Sequence, residues 1–180
     1  MADEALQQHL SEIEKAAERL KGVAAETPMI HSTYFSQESG NDIWIKPENL
    51  QNTGSFKLRG AYNRISQLTE EERARGIVTA SAGNHAQGVA YAAQHYGCPC
   101  TIIMPEVTPL IKIKSAKEKG ANVVIYGENY DQAYRRALEV AVETGGLFIH
   151  AYDDYGVICG QGTIAYEMLI ENPDLDEILV

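Results

Sequence analysis

Residues 76–97 read GIVTASAGNHAQGVAYAAQHYG, and this stretch indicates the fold class. Its first five residues form a short apolar run, which is typical of a strand that is buried on both faces. A turn of small residues follows, and an alanine-rich helical segment over residues 84–96 then ends at Gly97. A strand that passes into a helix of this length is one half of a βαβ unit, in which the two strands run parallel.

The same alternation continues along the rest of the chain. We predict strands at residues 101–104, 122–126, 147–149 and 177–180, and helices at residues 109–119, 130–143 and 155–170. Because right-handed crossovers connect such strands, the expected fold is α/β, with open parallel sheets that carry helices on both faces.

The residues before Gly76 follow a different pattern. A helix is predicted over residues 3–20, because apolar side chains recur on one face at Leu6, Leu10, Ile13, Ala17 and Leu20. An extended segment at residues 27–32 and a strand at residues 43–45 come next. A second helix is predicted from Lys57 to about Leu68.

One lysine stands at the start of this second helix, within the run NTGSFKLRGA of residues 52–61. Lys57 follows Phe56, so its ammonium is expected beside a flat ring and near the positive end of the helix dipole. The dipole and partial burial both disfavour the charged form, which lowers the pKa of the amine. A partly neutral lysine can attack a carbonyl and form a Schiff base, whereas a lone lysine at a helix start is usually a solvated surface charge.

The loop after the first strand of the alternating region, residues 79–85, is the expected ligand site, because ligands of open parallel sheets bind beyond the carboxyl ends of the strands. The amides of Gly83, Asn84 and His85 are expected to be unpaired donors that suit a carboxylate. The Asn84 side chain can hold a phenolic oxygen, although an ordinary helix N-cap is the alternative. We interpret His85 as a structural histidine and not as the base.

Several other patterns carry little functional signal. The glycines of the run Gly160-Gln161-Gly162-Thr163 lack the full dinucleotide-binding spacing and lie in a helical pattern, so close helix packing explains them better. No phosphate-binding P-loop sequence occurs. Cys98, Cys100 and Cys159 do not have zinc-site spacing, so we interpret them as small reduced thiols and expect no metal.

Charge and hydropathy exclude further classes of function. The formal net charge of −10 argues against a nucleic-acid partner. No run of about 18 apolar residues is present, so no membrane span is expected. The polar N-terminus lacks the order of a secretory signal, which favours a cytoplasmic protein.

Three segments together, residues 55–61, 79–88 and 160–165, closely resemble threonine dehydratase (threonine ammonia-lyase). This is a family of pyridoxal 5′-phosphate (PLP) enzymes of fold type II, the tryptophan-synthase-β type, and the similarity extends over about residues 23–180. The resemblance implies that PLP lies between two α/β domains. Residues 76–150 would form the small domain, and residues 1–75 and 151–180 would belong to the large one.

The resemblance also assigns roles to matching residues. Lys57 corresponds to the lysine that forms a Schiff base with PLP and serves as general base. Phe56 corresponds to the residue packed against the cofactor ring, and Asn84 to the asparagine bonded to the 3′-oxygen of the ring. The loop that grips the substrate carboxylate corresponds to Ser81, Ala82, Gly83, Asn84 and His85.

The implied activity is β-elimination of L-threonine or L-serine, which gives 2-oxobutyrate or pyruvate plus ammonia, for example in isoleucine biosynthesis. Serine racemase has a second serine at the position of Ala82, which acts on the opposite face of the substrate. Alanine has no exchangeable proton, so racemisation is expected to be poor. The alternatives are a serine racemase or another fold type II enzyme, or a non-catalytic module of the same fold that binds a small ligand. Ala151 also departs from the family, in which proline is usual.

Further expectations concern the whole polypeptide. In this family the loop that binds the PLP phosphate, and the group that bonds the pyridine nitrogen, would lie beyond Val180. The chain is therefore interpreted as the N-terminal part of a longer enzyme and is expected to be inactive alone. The full-length protein is expected to be a homo-oligomer, either a dimer or a tetramer.

Overall fold

The computed structural model describes residues 2–180, and the side chains from Glu4 onwards. A short 3-10 helix lies at Glu48–Leu50. The α-helices and strands are, in chain order, α1 (Ala2–Leu20), β1 (Ile30–His31), α2 (Thr33–Ser39), β2 (Trp44–Ile45), α3 (Lys57–Ser66), α4 (Glu70–Arg75), β3 (Ile77–Ala80), α5 (Asn84–Tyr96), β4 (Cys100–Met104), α6 (Leu110–Glu118), β5 (Asn122–Ile125), α7 (Tyr130–Thr144), β6 (Leu147–Phe148) and α8 (Tyr155–Glu171).

Four of the strands form one parallel sheet in the order β5-β4-β3-β6. Ile77 of β3 pairs with Cys100 of β4 on one side and with Leu147 of β6 on the other. Thr101 of β4 pairs in turn with Asn122 of β5. The predicted parallel α/β arrangement is therefore confirmed. A separate antiparallel ribbon joins β1 to β2.

Helices cover both faces of this sheet, as predicted. Ile77 packs in a core with residues of α5 and α6, whereas Val78 packs in a second core with residues of α7. Neighbouring residues of β3 enter different cores because successive side chains of a strand point to opposite faces.

Helix α3 packs closely against both α5 and α8, and glycines allow this close approach. A Cβ atom built at Gly88 of α5 would lie 2.7 Å from the Lys57 carbonyl oxygen, and one built at Gly160 of α8 would lie 2.6 Å from the Arg59 carbonyl oxygen. Both neighbours are backbone atoms, which have little freedom to move away. The interpretation of Gly160 as a packing residue is confirmed.

Some sequence predictions need correction. Residues 177–180 do not form a strand, because no described strand lies beside them to supply hydrogen-bond partners. The helical face predicted over residues 3–20 is only partly covered: Leu20 is buried, but Leu6 and Leu10 are 68% and 49% exposed.

Two short helices, α2 and α4, were not predicted. The sequence does carry a signal for α4, the pair of capping residues Thr69 and Glu72. The Thr69 hydroxyl accepts a hydrogen bond from the Glu72 amide, and the Glu72 carboxylate accepts one from the Thr69 amide. This reciprocal cap stabilises a helix of only six residues. Among residues 2–180, no helix is long and apolar enough to cross a membrane.

Candidate active site

Lys57 is the first residue of α3, with Phe56 as the N-cap. Its Nζ lies 5.3 Å from the centroid of the Phe56 ring and donates a hydrogen bond of 2.8 Å to the carbonyl oxygen of Ala151. Burial lowers the pKa of the Lys57 amine, which confirms the direction expected from the sequence. The site thus contains an amine that gives up its proton more readily than a surface lysine does.

The start of α5 differs in detail from the prediction. Gly83, not Asn84, is the N-cap, and the Ser81 hydroxyl takes the capping role by accepting from the Gly83 and Ala86 amides, each at 3.2 Å. The expectation that the Gly83 amide is unpaired was therefore wrong. Within the described residues, the amides of Ala82, Asn84 and His85 have no hydrogen-bond partner. These three donors, at the positive end of the α5 dipole, can bind an anion.

The Asn84 side chain is exposed at the edge of the same loop. Its Oδ1 accepts a long hydrogen bond of 3.4 Å from Lys112 Nζ on α6. In the described part of the chain its Nδ2 group has no acceptor, so it remains available to donate to a ligand oxygen.

His85 is buried under the loop, with 3% of its surface exposed. Its Nε2 lies 3.3 Å from the Ile149 carbonyl oxygen, and its Nδ1 has no partner among the described residues. Burial is the main cause that lowers the pKa of His85 to about 4, and the positive charge of Lys57 acts in the same direction. The ring is therefore neutral at neutral pH, which agrees with its interpretation as a structural residue.

Three separated parts of the chain meet around Lys57: the start of α3, the start of α5 and residues 149–151, just after β6. Sequence reasoning did not identify the last of these, because Ile149 and Ala151 contribute backbone carbonyls and not side chains. Only the position of residues 149–151 after a parallel strand could have suggested it.

A second feature that the sequence did not reveal is the environment of Arg59. This side chain is fully buried, and its guanidinium donates to Glu48 at 2.8 Å, to Glu167 at 2.9 Å and to Thr163 at 3.1 Å. Burial opposes its charge, but the hydrogen bonds to Glu48 and Glu167 outweigh that cost and raise the pKa of Arg59. The ion pairs hold the first turn of α3, and so the backbone of Lys57, against α8.

Among the side chains from Glu4 onwards, the cysteines and the acidic residues do not form a metal site. Cys98, Cys100 and Cys159 are all free thiols, and Cys100 and Cys159 are buried. In the part of the chain that the structure describes, no group of three or more His, Cys, Asp or Glu side chains is placed to hold a metal ion.

A lysine amine whose pKa is lowered by burial is typical of enzymes in which lysine forms a Schiff base with a carbonyl cofactor. Residues 20–180 match the family described as pyridoxal-phosphate dependent enzyme, and the chain belongs to that family.

Among its relatives are enzymes that act on threonine. The chain is 49% identical over 171 residues to L-threonine ammonia-lyase from Thermotoga maritima, an alignment that covers 95% of this chain and 43% of that protein. A solved structure of processed threonine deaminase isoform 2 from Solanum lycopersicum matches with a TM-score of 0.90 and 44% identity, over 96% of this chain and 50% of that one.

A racemase is also similar. The structure of serine racemase from Dictyostelium discoideum matches with a TM-score of 0.87 and 34% identity, over 93% of this chain and 54% of that one. The chain thus spans about half the length of the relatives it matches.

The cofactor of the family is PLP, and the residues present fit part of it. The lowered pKa of Lys57 suits an amine that must bond to an aldehyde, and the Nδ2 group of Asn84, which has no acceptor among the described residues, suits a phenolic oxygen. Lys57, Phe56 and Asn84 are the residues that would hold its carbonyl, ring and phenolic parts.

Proposed function

We propose that this chain is part of a PLP-dependent ammonia-lyase that converts L-threonine or L-serine to 2-oxobutyrate or pyruvate and ammonia. The observation that carries the proposal is the Lys57 amine, held at the start of α3 between the Phe56 ring and the Ala151 carbonyl with a lowered pKa. The names of the threonine enzymes that this chain resembles support the choice of reaction.

PLP, when bound, supplies an aldehyde that condenses with amines and a ring that accepts the electrons of a bond broken at the α-carbon. Lys57 is the residue that would supply the amine for this aldehyde. Its Nζ would also accept the proton of the substrate α-carbon. Its lowered pKa keeps a larger fraction of the amine neutral, which this proton transfer requires.

The start of α5 orients the substrate in this proposal. The amides of Ala82, Asn84 and His85 bind the substrate carboxylate, while the Ser81 hydroxyl shapes the loop through its bonds to the Gly83 and Ala86 amides. Ser81 therefore acts through the loop conformation. The Nδ2 group of Asn84 would donate to the phenolic oxygen of the cofactor.

The test is made on the full-length protein supplied with PLP. Borohydride reduction followed by peptide mapping should place the pyridoxyl group on Lys57, and the enzyme should release 2-oxobutyrate from threonine. Lys57→Ala should abolish the adduct and turnover, whereas Lys114→Ala, which removes an exposed lysine, should change neither. An adduct on another residue, or none, overturns the proposal.

A racemase is the second candidate, and the similarity to serine racemase favours it. Ala82 opposes it, because this side chain cannot deliver a proton to the second face of the α-carbon. Incubation of the full-length enzyme with L-serine decides the matter: pyruvate as the main product supports the lyase, whereas D-serine as the main product supports the racemase.

The wider properties form part of the same proposal. We place PLP between a small domain, residues 76–150, and a large domain that contains residues 1–75 and 151–180, and we propose a cytoplasmic homo-oligomer that serves amino-acid metabolism, including isoleucine biosynthesis. The exposed apolar side chains of Val107, Leu110 and Ile111 support assembly, since such groups are commonly covered in oligomers. Light scattering of the purified full-length protein tests the oligomeric state.

A further inference from the structure

The His85 ring and the Lys57 amine contact the same short segment of backbone. His85 Nε2 lies 3.3 Å from the carbonyl oxygen of Ile149, and Lys57 Nζ lies 2.8 Å from the carbonyl oxygen of Ala151, two residues further along. The Ile149 amide also donates to Val78 of the sheet. Residues 149–151 therefore connect the histidine of the α5 loop to the lysine of α3.

The chemistry of the contact fixes the tautomer of His85. A carbonyl oxygen only accepts hydrogen bonds, so Nε2 must carry the proton and Nδ1 must be bare. The Thr79 hydroxyl donates to the same Ile149 oxygen at 2.8 Å. This carbonyl oxygen therefore accepts two hydrogen bonds, which hold it in one direction. The ring is buried, so it has little room to turn.

The charged groups around His85 favour the neutral ring. Lys57 and His150 disfavour a second positive charge there, whereas Asp154 has the opposite effect. Burial is the largest effect, and with Lys57 and His150 it outweighs the Ile149 carbonyl and Asp154, which favour the charged ring. The ring is therefore neutral at neutral pH, and its Nε2–H donor carries no positive charge.

We propose that His85 is a positioning residue, which fixes residues 149–151 through its Nε2–H and thereby determines where the Lys57 amine lies. This role is distinct from carboxylate binding by the His85 backbone amide. It rests on the proposed function only in that Lys57 is the reactive amine. The His85 side chain thus acts on the reaction through the Ala151 carbonyl and does not touch the reacting atoms.

The test uses two variants of the full-length protein from which PLP has been removed. The amide nitrogen of Gln reaches about as far as His Nε2, whereas that of Asn reaches only as far as Nδ1, so His85→Gln keeps the donor to Ile149 and His85→Asn loses it. His95→Asn, the same substitution at an exposed position of α5, is the matched control. The readout is the pH dependence of Lys57 acylation, followed by mass spectrometry with Lys114 as the surface reference.

In the wild type, the midpoint of Lys57 acylation should lie below that of Lys114. In His85→Asn the amine is free to move towards solvent, which relieves the burial that lowers its pKa, so we expect its midpoint to rise towards that of Lys114. His85→Gln and His95→Asn should leave the midpoint unchanged. A loss of ring packing alone would affect Asn and Gln alike, so equal midpoints in these two variants overturn the proposal.

A second measurement needs no variant and decides the case if His85→Asn does not fold. Nitrogen-15 NMR of the wild-type protein at pH 7 should show a neutral His85 ring with the proton on Nε2. A proton on Nδ1, or on both nitrogens, overturns the proposal. Neither experiment uses PLP or turnover, so failure of the proposed ammonia-lyase activity would be seen separately, in the borohydride mapping and the product assay.

Discussion

Replacing Gly160 with alanine probes the crossing of α3 and α8 just beyond Lys57. The new Cβ would lie 2.6 Å from the Arg59 carbonyl oxygen and 2.6 Å from Gly60 Cα, whereas ordinary contacts begin at 3.4 Å. The helices must therefore move apart by about 0.8 Å, since neither backbone atom can rotate away. Overpacking of this kind costs typically 1–3 kcal/mol, and the better helix propensity of alanine returns at most about 1 kcal/mol.

We therefore expect Gly160→Ala to lower the free energy of unfolding by about 1–2 kcal/mol, measured by urea denaturation of the full-length protein. Gly162→Ala is the matched control two residues along α8. The three atoms nearest its Cβ all belong to the side chain of Ile13, the first at 2.9 Å, and this side chain can shift. This control should be neutral or slightly stabilising. Equal stability of the two variants would refute the argument that backbone contact at Gly160 sets the helix spacing.

The buried ion pairs and the α5 loop give further predictions. Arg59→Leu should destabilise the protein by about 3–5 kcal/mol in urea unfolding, because Glu48 and Glu167 lose their shared partner, and adding Glu48→Gln and Glu167→Gln should recover part of the loss. Burial works against the charge of Glu48, but hydrogen bonds from Arg59 and Thr27 lower its pKa below 4.5. The folded state then binds fewer protons than the unfolded chain, so the stabilisation is present above the unfolded pKa and is lost as the pH falls through the lower folded value. Urea unfolding between about pH 5 and pH 3 should therefore show a shallower loss of stability in Glu48→Gln than in the wild type. Ala82→Ser adds a hydroxyl that can exchange a proton, so D-serine formed from L-serine should rise above the wild-type level, measured by chiral chromatography. No rise would contradict the role given to residue 82.

Local sequence patterns were enough to predict the parallel sheet. The bounds of α5 agree with the prediction because a turn of small residues precedes it and Gly97 in the left-handed conformation ends it. The prediction of a strand at residues 177–180 was wrong. A strand needs a neighbouring strand as hydrogen-bond partner, and the local sequence does not reveal whether one is present.

The candidate site was predictable where side chains carry the chemistry. Lys57, Phe56 and Asn84 stand in recognisable local patterns, and the partial burial that lowers the pKa of Lys57 was part of the expectation. The Ala151 carbonyl and the Ile149 carbonyl were not predictable, because every residue has a backbone oxygen and only the fold determines which one faces an amine. The buried ion pairs of Arg59 with Glu48 and Glu167 join residues 11 and 108 positions apart, which no local pattern reveals.

The acceptor that receives the Lys57 ammonium belongs to the main chain, and this has a consequence for sequence variation. Alanine and proline offer the same oxygen at position 151, so an exchange between them preserves this contact provided that the backbone path is kept. A search for invariant side chains would overlook such an acceptor, and substitutions at residue 151 that leave its backbone in place would not remove it. What must be kept for this hydrogen bond is the backbone conformation of residues 149–151, and not the identity of a side chain.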